Sequence, residues 1–65
     1  MPYPAGHREQ VRERIVRSAR ELFNRRGFEG TSVDAIMASA GLTRGGFYSY
    51  FRTKEELYAE AIRLI

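Results

Sequence analysis

Two glycines, Gly27 and Gly41, cut the apolar pattern of this chain into short runs of helical spacing, and they constrain its fold more than any other feature. Before Gly27, the positions Val11, Ile15, Ala19, Leu22 and Phe23 recur at steps of four, four, three and one. That spacing lays one apolar stripe along a helix over Arg8–Arg26. Glu13 with Arg17, and Glu21 with Arg25, stand four residues apart and add about 0.2–0.5 kcal/mol per pair. Arg25 and Arg26 suit the negative end of the helix dipole, and Gly27 is a natural stop. Between the glycines, Val33, Ile36, Met37 and Ala40 repeat the helical spacing. Thr31 is the expected cap of this second helix, with Asp34 three residues on in a shortened capping box. Gly41 is expected to close it in a left-handed conformation, which other residues adopt only at a cost. No strand-like alternation, internal repeat or low-complexity segment competes with these helices.

A third helix is expected from Thr43, whose hydroxyl can cap the amides of Gly45 and Gly46. Leu42, Phe47 and Phe51 supply its buried side. Two adjacent glycines cost about 1 kcal/mol each relative to alanine, so something other than intrinsic preference must hold this helix. Thr53-Lys54-Glu55-Glu56 forms a capping box for a fourth helix, continued by Leu57, Tyr58, Ala61, Ile62, Leu64 and Ile65. Its apolar stripe is still running at the last residue, as expected of a fragment of a longer protein. Residues 1–7 hold two prolines and a glycine without periodicity and read as a mobile arm. The expected fold class is therefore all-α: a three-helix, homeodomain-like helix-turn-helix bundle over residues 8–57, with the motif itself at about 32–51. The start of a fourth helix follows over 53–65.

Composition narrows the function. At 65 residues the chain is one small domain of marginal stability. Without cysteine it has neither disulfides nor thiolate metal sites, in keeping with a reducing cytoplasm. No apolar run approaches the roughly 20 residues that span a bilayer, and the N-terminus lacks the apolar core of a signal peptide, so a cytoplasmic protein is expected. Catalysis, a metal and a cofactor are not expected. The single histidine, His7, lies in the arm, and no nucleophile stands beside a base. The adjacent Glu55 and Glu56 would point about 100° apart on a helix rather than converge. The net charge of +3 is unevenly spread. Arg44, Arg52 and Lys54 face only Asp34 in the middle of the chain, while Glu55, Glu56 and Glu60 make the end acidic.

A helix, a glycine turn and a second short helix make a helix-turn-helix, and an α-helix fits the major groove of B-DNA, where each base pair shows a distinct donor and acceptor pattern. The second helix enters by its N-terminal end while the first lies across the backbone. In that arrangement Arg44 stands where a guanidinium could pair with guanine. Gly45 and Gly46 either permit close approach of the backbone to DNA or mark a loop. Thr43 can cap its helix and also reach a phosphate. Tyr48, Ser49 and Tyr50 offer hydroxyls, Lys54 a charge, and Thr31 and Ser32 stand at the start of the second helix. Each residue also has an ordinary reading. Tyr48 and Tyr50 suit partly buried aromatics, Arg44 a surface charge, and Thr31, Thr43 and Thr53 simple caps. Their conjunction in one segment points to double-stranded DNA.

The run Ala40-Gly41-Leu42-Thr43-Arg44-Gly45-Gly46-Phe47-Tyr48-Ser49-Tyr50-Phe51-Arg52-Thr53-Lys54-Glu55-Glu56-Leu57 resembles the signature of the tetracycline-repressor (TetR) family of bacterial transcription regulators. That signature runs alanine-glycine-valine, a small hydroxyl residue, a variable position, glycine, a tyrosine-x-x-phenylalanine core and serine-lysine-glutamate. Upstream, Ala19, Leu22-Phe23, Gly27-Phe28, Gly30-Thr31-Ser32-Val33 and Ile36 fall at family positions, so the likeness covers Arg8 to Leu57. It implies a repressor-type regulator bound as a homodimer to a pseudo-palindromic operator, with a small-molecule effector held by a larger C-terminal domain absent from this chain. It further implies that Thr31 or Ser32, Tyr48, Tyr50 and Lys54 hold phosphates, while Thr43, Arg44, Gly46 and Ser49 face bases or nearby backbone. Leu42, Thr43 and Thr53 are conservative departures. Gly46 stands where threonine or alanine is common, which leaves Arg44 a larger share of base reading. The competing reading is a small helical protein-interaction module without DNA specificity, which would not require the hydroxyl-rich, basic rim of the third helix. A membrane-surface role for the basic first helix is disfavoured, since its stripe serves the core and it has no tryptophan.

Overall fold

The computed structural model describes residues 5–63. Helix α1 (Ala5–Arg26) is followed by α2 (Val33–Ser39), a 3-10 helix (Arg44–Ser49) and α3 (Lys54–Arg63). The described residues contain no strand, so the architecture is the expected all-α one, with α1 packed against both α2 and α3 and the 3-10 helix packed on α2. Helix α1 begins three residues ahead of the expected Arg8, so residues 5–7 of the expected arm are helical. Residues 1–4 of that arm, like Leu64 and Ile65 of the fourth helix, lie outside the described residues. Arg8, the first residue of the expected helix, donates to the Ser49 carbonyl and lies over the Tyr50 ring, a tertiary contact invisible to periodicity.

The helix ends follow from satisfying orphan backbone groups. Helix α2 is capped by Ser32, not Thr31. Ser32 is extended (φ −99°, ψ 157°) and its hydroxyl accepts from the Ala35 amide at 3.1 Å. Thr31 is drawn inside instead, where its hydroxyl donates to the carbonyls of Gly27 (2.8 Å) and Leu22 (3.2 Å) at the end of α1. At the far end of α2, Gly41 takes the expected left-handed conformation (φ +77°). Its amide bonds the Ala38 carbonyl at 3.0 Å and the Leu42 amide the Met37 carbonyl at 2.8 Å, the paired closure of a Schellman turn. This reverses the chain and starts the next element at a fixed angle. Helix α3 carries the expected capping box with one shift. Thr53 accepts from the Glu56 amide at 3.1 Å, while the Glu56 carboxylate accepts from the Arg52 amide at 2.7 Å rather than from Thr53.

The third helix is 3-10 rather than α. Its N-cap Thr43 makes no side-chain cap bond; the Thr43 carbonyl instead accepts from the Gly46 amide at 3.1 Å. With glycines at both inner positions of the first turn, little favours the wider α-helical turn, and the segment closes on itself in tighter steps. Burial of Phe47 holds it in place. That ring is fully buried, 5.9 Å from Phe51, in a core completed by Ile15, Val16, Ala19 and Phe23 of α1, Ile36, Met37 and Ala40 around α2, and Leu57 and Ala61 of α3. A second aromatic group, Phe23, Phe28 and Tyr58, closes the α1–α3 side with edge-on contacts at 5.0 and 5.2 Å.

Gly30 and Gly45 separate two uses of glycine. A Cβ on Gly30 would stand 2.5 Å from the Arg26 carbonyl oxygen, whereas one on Gly45 meets nothing within 4 Å. Gly30→Ala should therefore lower the unfolding free energy by about 1–3 kcal/mol through overpacking against backbone. Gly45→Ala should leave it unchanged or raise it by up to about 1 kcal/mol. Urea unfolding followed by circular dichroism measures both, and equal effects would refute the distinction.

Candidate nucleic-acid interface

The Schellman turn at Gly41 presents the N-terminal end of the 3-10 helix beside the first turn of α2. Thr43, Arg44, Gly45, Tyr48 and Ser49 are exposed there, as is Ser32, and Gly46 and Tyr50 are half-buried. Arg44 and Tyr48 are the most prominent. The Arg44 side chain is 64% exposed and Tyr48 is 61% exposed, its ring set edge-on to the buried Phe47 at 5.1 Å. Tyr48 is thus anchored at its base with its hydroxyl end outward. Thr43, spared from capping, keeps its hydroxyl for an external acceptor. The two glycines differ in direction. Gly45 opens onto solvent, while a Cβ on Gly46 would touch the Met37 methyl at 3.7 Å. Gly46 therefore seats the 3-10 helix against α2, and close approach from outside is possible only at Gly45.

Two expected anchors are turned inward. Thr31 is 1% exposed with its hydroxyl donated to α1 carbonyls, so it offers nothing to a phosphate. Its single polar side-chain atom satisfies orphan carbonyls that would otherwise be buried unpaired. The Lys54 ammonium donates to the carbonyls of Phe28 at 2.8 Å and Thr31 at 2.9 Å and sits 4.2 Å from the centre of the Phe28 ring. It ties the start of α3 to the α1–α2 loop. A lysine can reach three acceptors, and here two are loop carbonyls, which no sequence spacing reveals.

Two residues reach the site that sequence reasoning did not place there. Asp34, expected only at a helix start, pairs with Arg44 (Oδ1 to Nε 3.3 Å). The pair joins the first turns of the two helices of the motif, a juxtaposition that the helix-turn-helix topology itself could have signalled. It uses Nε and leaves the two terminal guanidinium nitrogens for further acceptors. Arg8 is the other, and it reaches the Ser49 carbonyl and the Tyr50 ring from α1.

A family model described as "Bacterial regulatory proteins, tetR family" matches residues 15–61 of this chain. The chain belongs to the tetR family. Among its relatives, the uncharacterized HTH-type transcriptional regulator YdgC of Bacillus subtilis strain 168 is 41% identical over 53 residues, 82% of this chain and 27% of that protein. The HTH-type transcriptional regulator AcrR of Shigella flexneri is 36% identical over 52 residues, 80% of this chain and 24% of its own length. The HTH-type transcriptional repressor DhaR of Mycobacterium sp. strain GP1 is 32% identical over 56 residues, 86% and 28% respectively. The chain spans about a quarter of the length of these relatives. No solved structure matches it at comparable significance. This tetR-family domain is a helix-turn-helix DNA-binding domain. The family and these relatives are described as transcriptional regulators, and the interaction-module reading finds no support among them. Among the described residues of the domain, no helix is long and apolar enough to cross a membrane.

The division between inward and outward side chains can be measured. Lys54→Met should lower the unfolding free energy by about 1–3 kcal/mol, since two loop carbonyls lose a charged donor. Arg44→Ala should change it by less than about 1 kcal/mol, because its exposed ion pair contributes little. Thermal unfolding of the two variants would show the reverse order if Lys54 were a free surface charge.

Proposed function

We propose that this domain reads double-stranded DNA by placing the N-terminal end of the 3-10 helix in the major groove. It does so as one head of a homodimeric regulator on a pseudo-palindromic operator. The observation that carries the reading is Arg44. It is an exposed guanidinium, braced through Nε by Asp34, beside a glycine that leaves the backbone open to close approach. The pair engages Nε and leaves the terminal nitrogens to pair with guanine O6 and N7. Thr43, Ser49, Tyr48 and Tyr50 along the same element would supply hydroxyl contacts to backbone or base edges, and Ser32 one from the start of α2. Thr31, Lys54 and Gly46 support the element from behind.

Repression is the favoured sense of regulation, since DhaR is named a repressor and IcaR of Staphylococcus epidermidis, 29% identical over 52 residues, a negative transcriptional regulator. In the full regulator a small-molecule effector, bound by a further domain, would alter the spacing of two heads and release DNA. Such a regulator works in the cytoplasm, where the chromosome is. A single head should bind weakly, with affinity falling steeply as salt rises.

Selection of bound sites from random duplex DNA tests the reading. Enrichment of a motif is expected, and recovery of unrelated sequences would restore the interaction-module alternative. On the enriched site, Arg44→Ala should cost about 1–3 kcal/mol of binding free energy and relax preference at one base pair. A loss equal on all sequences would remove its reading role. Gly45→Leu should abolish selective binding while leaving the fold intact, as a side chain there projects into open space; unchanged affinity would show that the backbone does not approach DNA at Gly45.

A further inference from the structure

The 3-10 helix has little stability of its own, and three arginines of α1 reach toward its two ends. Arg14 donates to the Ala40 carbonyl at 2.9 Å, just before the turn that precedes it. Arg12 lies 4.8 Å from the centre of the Phe51 ring, just after it, and pairs with Glu60 at 3.5 Å. Arg8 makes the most direct contact. Its Nη2 donates to the carbonyl of Ser49, the last residue of the 3-10 helix, and its guanidinium stands 4.4 Å over the ring of Tyr50. All three precede Ile15, the first residue that the family model matches.

We propose that Arg8 is a positioning residue for DNA reading: from the first turns of α1 it caps the C-terminal end of the 3-10 helix and fixes the Tyr50 ring, and so sets the aim of Arg44 and Tyr48. A helix end leaves carbonyls without partners, and a cation there is favoured by both hydrogen bonding and the dipole. A guanidinium over an aromatic face adds a second attraction of fixed geometry. Both contacts bear on one point, the exit of an element whose entry is already held by the Schellman turn and by Arg14. With both ends fixed, the side chains between them keep their direction despite the glycine pair. The proposal rests on the DNA-reading role set out above.

Hydrogen exchange on the free chain, followed by NMR, tests the tether without DNA. The amides of Tyr50 and Phe51 both donate to the Phe47 carbonyl at 2.9 Å and report on the end of the element. Arg8→Gln should speed their exchange roughly fivefold, with the Leu22 and Phe23 amides of α1 unchanged. Arg8→Lys, which retains a donor and a cation, should stay close to the wild type. Arg17→Gln removes the same charge from an exposed position paired with Glu13 and should change nothing. On the enriched site and on random duplex, Arg8→Gln should lower the ratio of the two affinities about three- to tenfold while the dependence on salt stays the same. Equal exchange in Arg8→Gln and Arg17→Gln would overturn the tether. A uniform loss on all sequences, with the salt slope reduced by about one, would make Arg8 a phosphate contact instead. A wild-type chain that enriches no motif brings down the DNA-reading role, and the positioning role with it, even where the exchange rates show the tether intact.

Discussion

Burial of Phe47 is the interaction on which the rest of the molecule depends. The segment around it begins with two glycines, which oppose helix formation by about 1 kcal/mol each relative to alanine. Complete burial of one phenylalanine side chain is worth about 1.5–3 kcal/mol, enough to offset that deficit when the site for the ring exists already. The site is built by α1 and α2, whose Ile15, Ile36 and Met37 are fully buried. The motif therefore forms only with the core, and its geometry is inherited from the packing of α1 on α2.

This dependence orders the polar residues as well. Carbonyls at the end of α1 and in the α1–α2 loop need donors, and the Thr31 hydroxyl and Lys54 ammonium supply them from inside. Thr31 ties the loop to the end of α1, Lys54 fixes α3 to the loop, and the outer surface is left to Thr43, Arg44, Tyr48 and Ser49. A charged residue near the interface thus need not act on the ligand. Its partners decide whether it reaches outward or holds the scaffold, and a buried carbonyl without a donor costs more than an exposed cation without an anion.

Much of the molecule was legible in the chain. The stripe of α1, the stops at Gly27 and Gly41, the Thr53 cap, the buried Phe47 and Phe51 and the half-buried Leu42 all follow from local rules that tertiary contacts did not override. The misplacements are small. Ser32 rather than Thr31 caps α2 because the carbonyls of α1 compete for the threonine hydroxyl. The third helix is 3-10 because the glycine pair weakens the wider α-helical turn while the buried Phe47 holds the segment in place. Gly46 faces Met37 rather than outward, a direction that depends on which way the short helix is rolled.

The amino-acid sequence by itself determined the class of the fold, the order of its helices, the place of its turn and the segment proposed to carry the reading surface. Helical period, glycine stops and hydroxyl caps are local properties, written within a few residues. The tertiary structure alone decided which members of that segment face outward. Lys54 meets carbonyls 23 and 26 residues away, and Arg8 meets one 41 residues away. Pairings over such separations exist only once the helices are packed, because they depend on where backbone groups without partners come to rest.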